Sequence, residues 1–203
     1  HGEWICFLDS DDLWKPRKLE IQKEFHETNT DLQISQTDEI WIRNGKRVNP
    51  MKKHKKYGGD VFLRSLPLCL ITPSSVMLRR EFFQEIGGFD ETFPVCEDYD
   101  LWIRITVRYP VGLIENKLVV KYGGHADQLS CALYGMDRFR IKALEKMADS
   151  PLLDQNKKRE LLKELIRKCI IYAKGGFKHN KGEEAQTYYN KAAQYTDQLK
   201  GLV

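Results

Sequence analysis

The feature that most constrains this chain is a short apolar run that ends in a cluster of aspartates. Residues 4–8 (WICFL) contain no charged or strongly polar side chain and are followed by Asp9, Ser10, Asp11 and Asp12. Continuous apolar runs of this length are typical of strands buried on both faces of an α/β sheet. Side chains two residues apart in extended backbone point the same way. The pattern therefore predicts Asp9 and Asp11 side by side at the carboxyl end of a buried strand.

Two carboxylates in that position form a hard oxygen site that suits Mg²⁺ or Mn²⁺, with a substrate phosphate in the open positions. The structural alternative is an acidic loop that caps the next helix, because D-x-D triplets are common. A calcium EF-hand loop is excluded, since its sixth position is Trp14 instead of the required glycine. A metal-dependent phosphohydrolase of the D-x-D type is disfavoured by Leu13 but stays open.

Composition excludes several classes of protein. Of the 203 residues, 41% are apolar and 31% are charged, which is too apolar for a disordered chain. The net charge of +4 does not call for a nucleic-acid partner, and no apolar run approaches the ~20 residues that span a bilayer. The five cysteines are scattered without a C-x-x-C pair. We therefore expect reduced thiols in a cytoplasmic protein, with peripheral contact at the inner face of the membrane as an alternative.

Shorter signals outline the remaining elements of the first 149 residues. Pro16 suits the first turn of a helix that carries Leu19, Ile21 and Phe25. An Asn-Gly pair favours a tight turn in a hairpin over residues 40–48. The patterns further predict strands over 75–78 and 118–122, and helices over 81–86, 97–108 and the segment around 136–147.

The C-terminal part differs in kind. Apolar residues at helical spacing over 161–170 and 185–193 predict an αα-hairpin, and Gly175 and Gly176 are expected to end its first helix. The Ser-Pro pair at 150–151 suits a boundary. We therefore predict a domain over residues 1–149 and a helical tail over residues 150–203.

A second group of acids occupies the start of the helix predicted over 97–108. Glu97, Asp98 and Asp100 fall in its first turn. Acids in this position interact favourably with the helix dipole, which also favours their ionised form. An ionised carboxylate can equally accept a proton from a hydroxyl as a general base. The residues alone leave the structural and the catalytic interpretation open.

Four segments in register resemble family 2 glycosyltransferases. In order, they are FLDSDDLWKP at 7–16, TPSS with an arginine pair within 72–80, GGFDE at 87–91 and EDYDLWIR at 97–104. The first is similar to the family's D-x-D segment, the next two to its acceptor-side segment, and the last to its ED motif. The order and separations agree as well, so the resemblance covers about residues 1–147.

The resemblance implies a GT-A fold, a Rossmann-like α/β/α sandwich, here followed by the helical tail. It also implies inverting, metal-dependent transfer of a sugar from a nucleotide-diphosphate sugar to a hydroxyl of a saccharide or lipid-linked acceptor. Carried over by position, Asp11 ligates Mn²⁺ or Mg²⁺, Asp9 holds the metal or the ribose, and Asp12 is a secondary candidate for the donor. His125 corresponds to a histidine that reaches the metal in many GT-A enzymes.

The ED motif implies that Asp98 is the catalytic base and that Glu97 shapes its surroundings. The family's nucleotide-binding half precedes the D-x-D strand, so we expect a truncated chain whose sheet has an open edge near residues 4–8. The non-enzymatic alternative is an interaction scaffold that uses the helical tail. The basic loop over residues 52–56 is either solvated or in contact with a diphosphate or an anionic lipid.

Overall fold

The computed structural model describes residues 2–124 and 135–202, and one mixed sheet organises this part of the chain. Its strands are β1 (Trp4–Cys6), β2 (Leu13–Trp14), β3 (Ile34–Arg43), β4 (Lys46–Val48), β5 (Val76–Arg79) and β6 (Gly112–Gly123). They follow the order β1-β5-β3-β6-β2, with β4 paired to β3. The central pair of β3 and β6 is parallel, and the other pairs are antiparallel.

Seven α-helices surround the sheet within the described residues. They are α1 (Lys18–Thr28), α2 (Phe62–Ser65), α3 (Arg80–Glu85), α4 (Glu97–Thr106), α5 (Asp137–Ala148), α6 (Gln155–Lys178) and α7 (Gly182–Lys200), with 3-10 turns at Lys52–His54 and Pro73–Ser75. None of these helices combines the length and the apolar character that crossing a membrane requires.

Alternation along β3 puts helices on both faces of the sheet. Ile34 joins Leu101 and Trp102 of α4 in one buried apolar cluster. The next residue, Ser35, points to the opposite face, where its hydroxyl lies 3.2 Å from the Gln22 amide of α1. The result is the layered α/β arrangement that the sequence predicts.

The helix predicted after Pro16 is present as α1, and its buried face is polar. Lys18, Gln22 and His26 are buried, while Leu19 is 46% exposed and Ile21 and Phe25 are half-buried. The buried groups satisfy one another: the Lys18 amine donates to the Gln22 side-chain oxygen at 2.6 Å, and a ring nitrogen of His26 lies 2.9 Å from the Ser35 hydroxyl. The polar sheet surface under α1 selects this face, which apolar periodicity could not reveal.

The first strand is also less buried than predicted. β1 is half-buried and stands at one end of the strand order, paired with β5. β1 is therefore an edge strand in the described part of the chain, as expected for the region of residues 4–8. It is not buried on both faces, as the apolar run had suggested.

Two strands are longer than the sequence suggested. β3 has 10 residues and β6 has 12, whereas apolar patterning indicated only residues 40–43 and 118–122. The first half of β3 carries Gln36, Thr37 and Glu39, all of which are buried. A strand that buries polar residues escapes a search for apolar runs. The turn after β3 is as predicted, since Asn44 and Gly45 have φ values of 49° and 72°.

The helical tail packs on the first part of the chain through a shared apolar core. Leu161 and Leu165 of α6 belong to the same buried cluster as Tyr99 and Ile103 of α4. The chain thus folds with continuous packing across residues 149 and 150, and the division into two domains at that point stays a prediction.

The first helix of the tail does not end at Gly175 and Gly176, as the sequence suggested. α6 continues to Lys178. A Cβ atom on Gly176 would lie 3.0 Å from the Cβ of Ala185 in α7. Gly176 therefore serves the close approach of two helices and does not act as a helix terminator.

The basic loop divides between solvent and core. Three of its lysines are exposed, but Lys56 is buried, and its amine lies 3.4 Å from the Glu39 carboxylate. The amine also donates to the side-chain oxygens of Gln36, Thr72 and Ser75, at 3.3, 3.2 and 3.0 Å. This buried ion pair fastens β3 to the 3-10 turn at Pro73–Ser75.

The Lys56→Ala substitution leaves the Glu39 carboxylate buried without its cation. We expect the free energy of unfolding to fall by about 3–5 kcal/mol, because an unpaired buried charge is strongly destabilising. Urea denaturation followed by circular dichroism measures the change. Lys53→Ala is the matched control in the exposed part of the loop, with an expected change within about 0.5 kcal/mol. Equal effects in the two variants would contradict this role of Lys56.

Candidate active site

The aspartate loop is anchored to a turn 60 residues further along the chain. The Asp9 amide donates to the Ser74 hydroxyl at 3.0 Å, and the Trp14 indole donates to the Ser74 carbonyl at 2.8 Å. Within the loop, the Asp12 amide donates to the Asp9 carbonyl at 3.0 Å. The aspartates therefore lie in a turn between β1 and β2. The argument from strand alternation does not hold, and the folding of the loop governs where these side chains lie.

The three aspartates have different surroundings. Asp12 is buried, and one of its carboxylate oxygens accepts a hydrogen bond from the Tyr122 amide of β6 at 3.3 Å. Its other oxygen, Oδ2, is buried without a hydrogen-bond partner in the described part of the chain. Asp9 is half-buried, and Asp11 is exposed. The sequence predicts all three aspartates in the donor site. In the structure, Asp12 lies inside the fold and Asp11 lies at the surface.

Burial raises the pKa of Asp9, and the nearby negative charge of Asp11 raises it further. Burial also raises the pKa of Asp12. The positive charge of Lys121 and the Ser74 hydroxyl oppose both shifts. The loop thus holds carboxylates close together and partly out of water, an arrangement that a bound cation would stabilise.

The residues of the loop fit Mg²⁺ or Mn²⁺ by their chemistry. Asp9 and Asp11 offer carboxylate oxygens, and the unpartnered oxygen of Asp12 lies buried in the same loop. Among residues 2–124 and 135–202, however, no three or more His, Cys, Asp or Glu side chains converge as a metal site. The third predicted ligand, His125, lies outside the described residues. The site of Asp9, Asp11 and His125 therefore stays a prediction.

The second acid cluster begins α4 at a strained backbone position. Cys96 immediately precedes the helix with φ 63° and ψ 20°, in the left-handed region that non-glycine residues seldom adopt. Three residues later, the Tyr99 amide, one of the unpaired donors of the first turn, donates to Asp98 Oδ1 at 2.6 Å. Cys69 approaches the other oxygen, with Sγ 3.3 Å from Asp98 Oδ2. Both oxygens of Asp98 are thus held by donors.

Burial raises the pKa of Asp98, against the expectation that the helix start would favour its ionised form. The Cys69 thiol, the Tyr99 amide and Lys121 act in the opposite direction, and the charge of Asp9 adds to the rise. Burial also raises the pKa of Glu97, followed by the charge of Asp98. The two acid clusters lie within electrostatic range of each other. One segment contacts both of them, since Cys69 lies against Asp98 and Ser74 binds the Asp9 amide.

The third acid of the helix start has a structural role. Asp100 is buried and lies 2.8 Å from the Arg104 guanidinium and 2.9 Å from the Lys146 amine. Lys146 also pairs with Asp90, at 2.5 Å. Lys146 thus links the GGFDE segment to α4. Because Asp100 is engaged with two cations, it is no longer a candidate proton acceptor.

Sequence reasoning missed three residues of this site. Ser74 anchors the aspartate loop, Cys69 contacts Asp98, and Lys121 of β6 is the cation that lowers the pKa of Asp9, Asp12 and Asp98. Ser74 belongs to the TPSS segment, so the resemblance could have pointed to it. Lys121 and Cys69 carry no local pattern, because only the folded chain brings them to the acids.

The Asp12→Asn substitution keeps an acceptor for the Tyr122 amide and removes a buried charge. The raised pKa of Asp12 means that its ionised form destabilises the fold at neutral pH. We therefore expect the variant to be more stable than the parent at pH 7. The gain should fade as the pH falls through the raised pKa of the folded state and should vanish below the ordinary aspartate value of 3.8, where the parent carboxyl is protonated in both states. Denaturant titrations across this range measure it, and a pH-independent difference would contradict the assignment.

Comparison with known proteins identifies relatives of part of this chain. The chain is 34% identical over 117 residues to an uncharacterized glycosyltransferase of Rickettsia bellii, covering 58% of this chain and 17% of that protein. It is 28% identical over 120 residues to an uncharacterized glycosyltransferase of Methanocaldococcus jannaschii, covering 58% of this chain and 41% of that protein. The chain thus spans less than a fifth of the Rickettsia relative and less than half of the archaeal one.

The fold is shared with a solved structure. Residues 1–349 of TarS from S. aureus superpose with a TM-score of 0.66 at 15% identity, which covers 100% of this chain and 59% of that one. This match confirms the expected glycosyltransferase fold. The family described as "Glycosyltransferase like family 2" matches residues 1–150, which include both acid clusters and the turn that joins them. The chain therefore belongs to the family 2 glycosyltransferases.

Proposed function

We propose that this chain carries the metal-binding and proton-accepting side of an inverting glycosyltransferase. The donor would be a nucleotide-diphosphate sugar, and the acceptor a hydroxyl of a saccharide or of a lipid-linked saccharide. The observation that carries the proposal is that one segment contacts both acid clusters: Cys69 lies 3.3 Å from Asp98 Oδ2, and the Ser74 hydroxyl accepts from the Asp9 amide at 3.0 Å. The charge of Asp9 raises the pKa of Asp98, although the two residues come from separate segments.

The reaction breaks the bond between the sugar and the diphosphate, and negative charge develops on the leaving phosphate. Bound Mn²⁺ or Mg²⁺ supplies charge neutralisation at that point. Asp9 and Asp11 would hold the cation and so orient the diphosphate beside the loop. Asp12, fixed to β6 through the Tyr122 amide, supports the loop from below.

Asp98 would accept the proton of the attacking hydroxyl. Donors at 2.6 and 3.3 Å fix its two oxygens, which leaves lone pairs in a defined plane for the acceptor. A carboxylate held in this way does not have to reorganise as the proton arrives. Glu97, half-buried beside it, contributes negative charge that strengthens the base.

The described site favours a single displacement, and so inversion. The nearest sulfur nucleophile, Cys69, has its pKa raised well above the ordinary thiol value by burial and by the charge of Asp98. Its thiol therefore stays protonated at neutral pH. The Ser74 hydroxyl is engaged with the Asp9 amide. Neither group is prepared to form a covalent intermediate with the sugar.

The exposed lysines of residues 52–55 form a basic surface on the loop before Lys56, whose buried amine binds Thr72 and Ser75 on either side of Ser74. Such a surface suits an anionic acceptor or the inner face of a membrane. We therefore place the reaction in the cytoplasm, with peripheral membrane contact for a lipid-linked acceptor.

The Asp11→Asn substitution tests the cation site. We expect it to abolish the Mn²⁺-dependent part of nucleoside diphosphate binding, because a neutral amide replaces the exposed carboxylate of the pair. Isothermal titration with UDP and with GDP, each with and without Mn²⁺, measures this part directly. Asp31→Asn removes an exposed aspartate after α1 and should leave binding unchanged. Unaltered Mn²⁺ dependence in Asp11→Asn would contradict the metal role of Asp11.

The Asp98→Asn substitution tests the base. Turnover, measured as nucleoside diphosphate release from a panel of nucleotide sugars with saccharide acceptors, should fall on the order of 10²-fold or more. Binding of nucleoside diphosphate should change little, because the aspartate loop is intact. Glu97→Gln is the neighbouring control, with a smaller loss expected.

Two results would contradict the proposed function. One is turnover in Asp98→Asn close to that of the parent. The other is a product whose anomeric configuration, read by proton NMR at early times, matches that of the donor, because a single displacement must invert it.

A further inference from the structure

A thiol faces the proposed base from a segment that no catalytic motif includes. Cys69 lies between α2 and the 3-10 turn at Pro73–Ser75. Its Sγ atom is 3.3 Å from Asp98 Oδ2 and 3.3 Å from the Ile71 carbonyl oxygen. Sulfur contacts of this length are hydrogen bonds, so the thiol proton is directed at one of two oxygen acceptors.

The chemistry of these partners defines the state of the sulfur. A carboxylate and a carbonyl can only accept, so Cys69 must donate, and a thiolate would be repelled by both. Burial raises the pKa of Cys69 well above its ordinary value, and the charge of Asp98 raises it further. The group is therefore a neutral donor at physiological pH, and the charged acceptor, Asp98, is the stronger of its two partners.

The thiol completes the fixation of the carboxylate. The Tyr99 amide binds Asp98 Oδ1 at 2.6 Å, and Cys69 binds Oδ2. One donor on each oxygen prevents rotation of the carboxyl plane about its Cβ–Cγ bond. Both donors also stabilise the ionised form, which is the form that accepts a proton, against the effect of burial.

We propose that Cys69 is a positioning residue for Asp98, which keeps the carboxylate oriented and ionised for proton transfer. This inference rests on the proposed function. In this proposal Cys69 is neither a nucleophile nor a metal ligand. It packs at the junction of both buried apolar clusters, which fixes the direction of its Cβ–Sγ bond.

Other charged groups face the same pair and must be considered in any pH measurement. Lys121 of β6 lowers the pKa of Asp98 and Asp9 raises it. Arg140 of α5 lowers the pKa of Cys69. Because these groups are unchanged when Cys69 is substituted, a shift that follows the substitution reports the thiol contact alone.

The test compares Cys69→Ala, which removes the donor, with Cys69→Ser, which keeps one. In Cys69→Ala, we expect kcat to fall roughly threefold to tenfold and the acid limb of the kcat profile to move to higher pH. Loss of a donor to the ionised form raises the pKa of the base, so more of it is protonated at a given pH. KM for the donor should not change, and Cys69→Ser should retain most of the parental kcat and limb position.

Cys169→Ala is the control for loss of a buried thiol, since Cys169 lies in α6 within the core. It should lower the melting temperature without moving the pH profile. If Cys69→Ala behaves like this control, or if Cys69→Ser loses as much kcat as Cys69→Ala, the thiol is a packing residue and the inference is overturned.

A readout without turnover separates this inference from the proposed function. The pKa of Asp98 is measured by carbon-13 NMR of labelled aspartate carboxyls, with Asp98→Asn as the assignment reference. A higher pKa in Cys69→Ala supports the contact, and an unchanged pKa overturns it. If the pKa shifts but Asp98→Asn retains turnover, the hydrogen bond stands and the role of Asp98 as base is the part that fails.

Discussion

Ser74 holds together segments of the site that lie 65 residues apart in sequence. Its hydroxyl accepts from the Asp9 amide and its carbonyl accepts from the Trp14 indole, so one residue fixes both ends of the aspartate loop. The turn that carries Ser74 is held in its own position by Lys56, whose buried amine binds Thr72 and Ser75. The buried Lys56 amine therefore helps to determine, through this turn, where the aspartate loop lies.

Desolvated acids are the second constraint on this region. Burial raises the pKa of Asp9, Asp12 and Asp98, which means that folding holds these groups in surroundings that disfavour their charge. Lys121 offsets part of the cost for all three. Carboxylates with pKa values shifted in this way are typical of sites that bind cations or transfer protons. The strained backbone of Cys96 at the start of α4 belongs to the same pattern.

The sequence predicted the parts of this site that local patterns encode. The hairpin turn at Asn44 and the start of α4 depend on a few neighbouring residues, and their positions were correct. The aspartates were expected on extended backbone and lie in a turn instead. Lys121 is brought near the acids by the pairing of distant strands. The polar face of α1 is buried because it hydrogen-bonds with Ser35 on β3. Both depend on contacts made only in the folded chain, so neither periodicity nor motif spacing could reveal them. The role of His125 as a metal ligand stays a prediction from the resemblance.

The helical tail contacts the segments that carry the site. The Lys168 amine of α6 donates to the Pro67 carbonyl at 3.1 Å, two residues before Cys69. The Tyr99 hydroxyl, next to Asp98, donates to the Leu66 carbonyl, and its ring packs in the cluster that contains Leu161 and Leu165. The segment that carries the thiol and the helix that carries the base are thus both held against α6. A displacement of the tail would therefore shift both donors to Asp98, the Cys69 thiol and the Tyr99 amide.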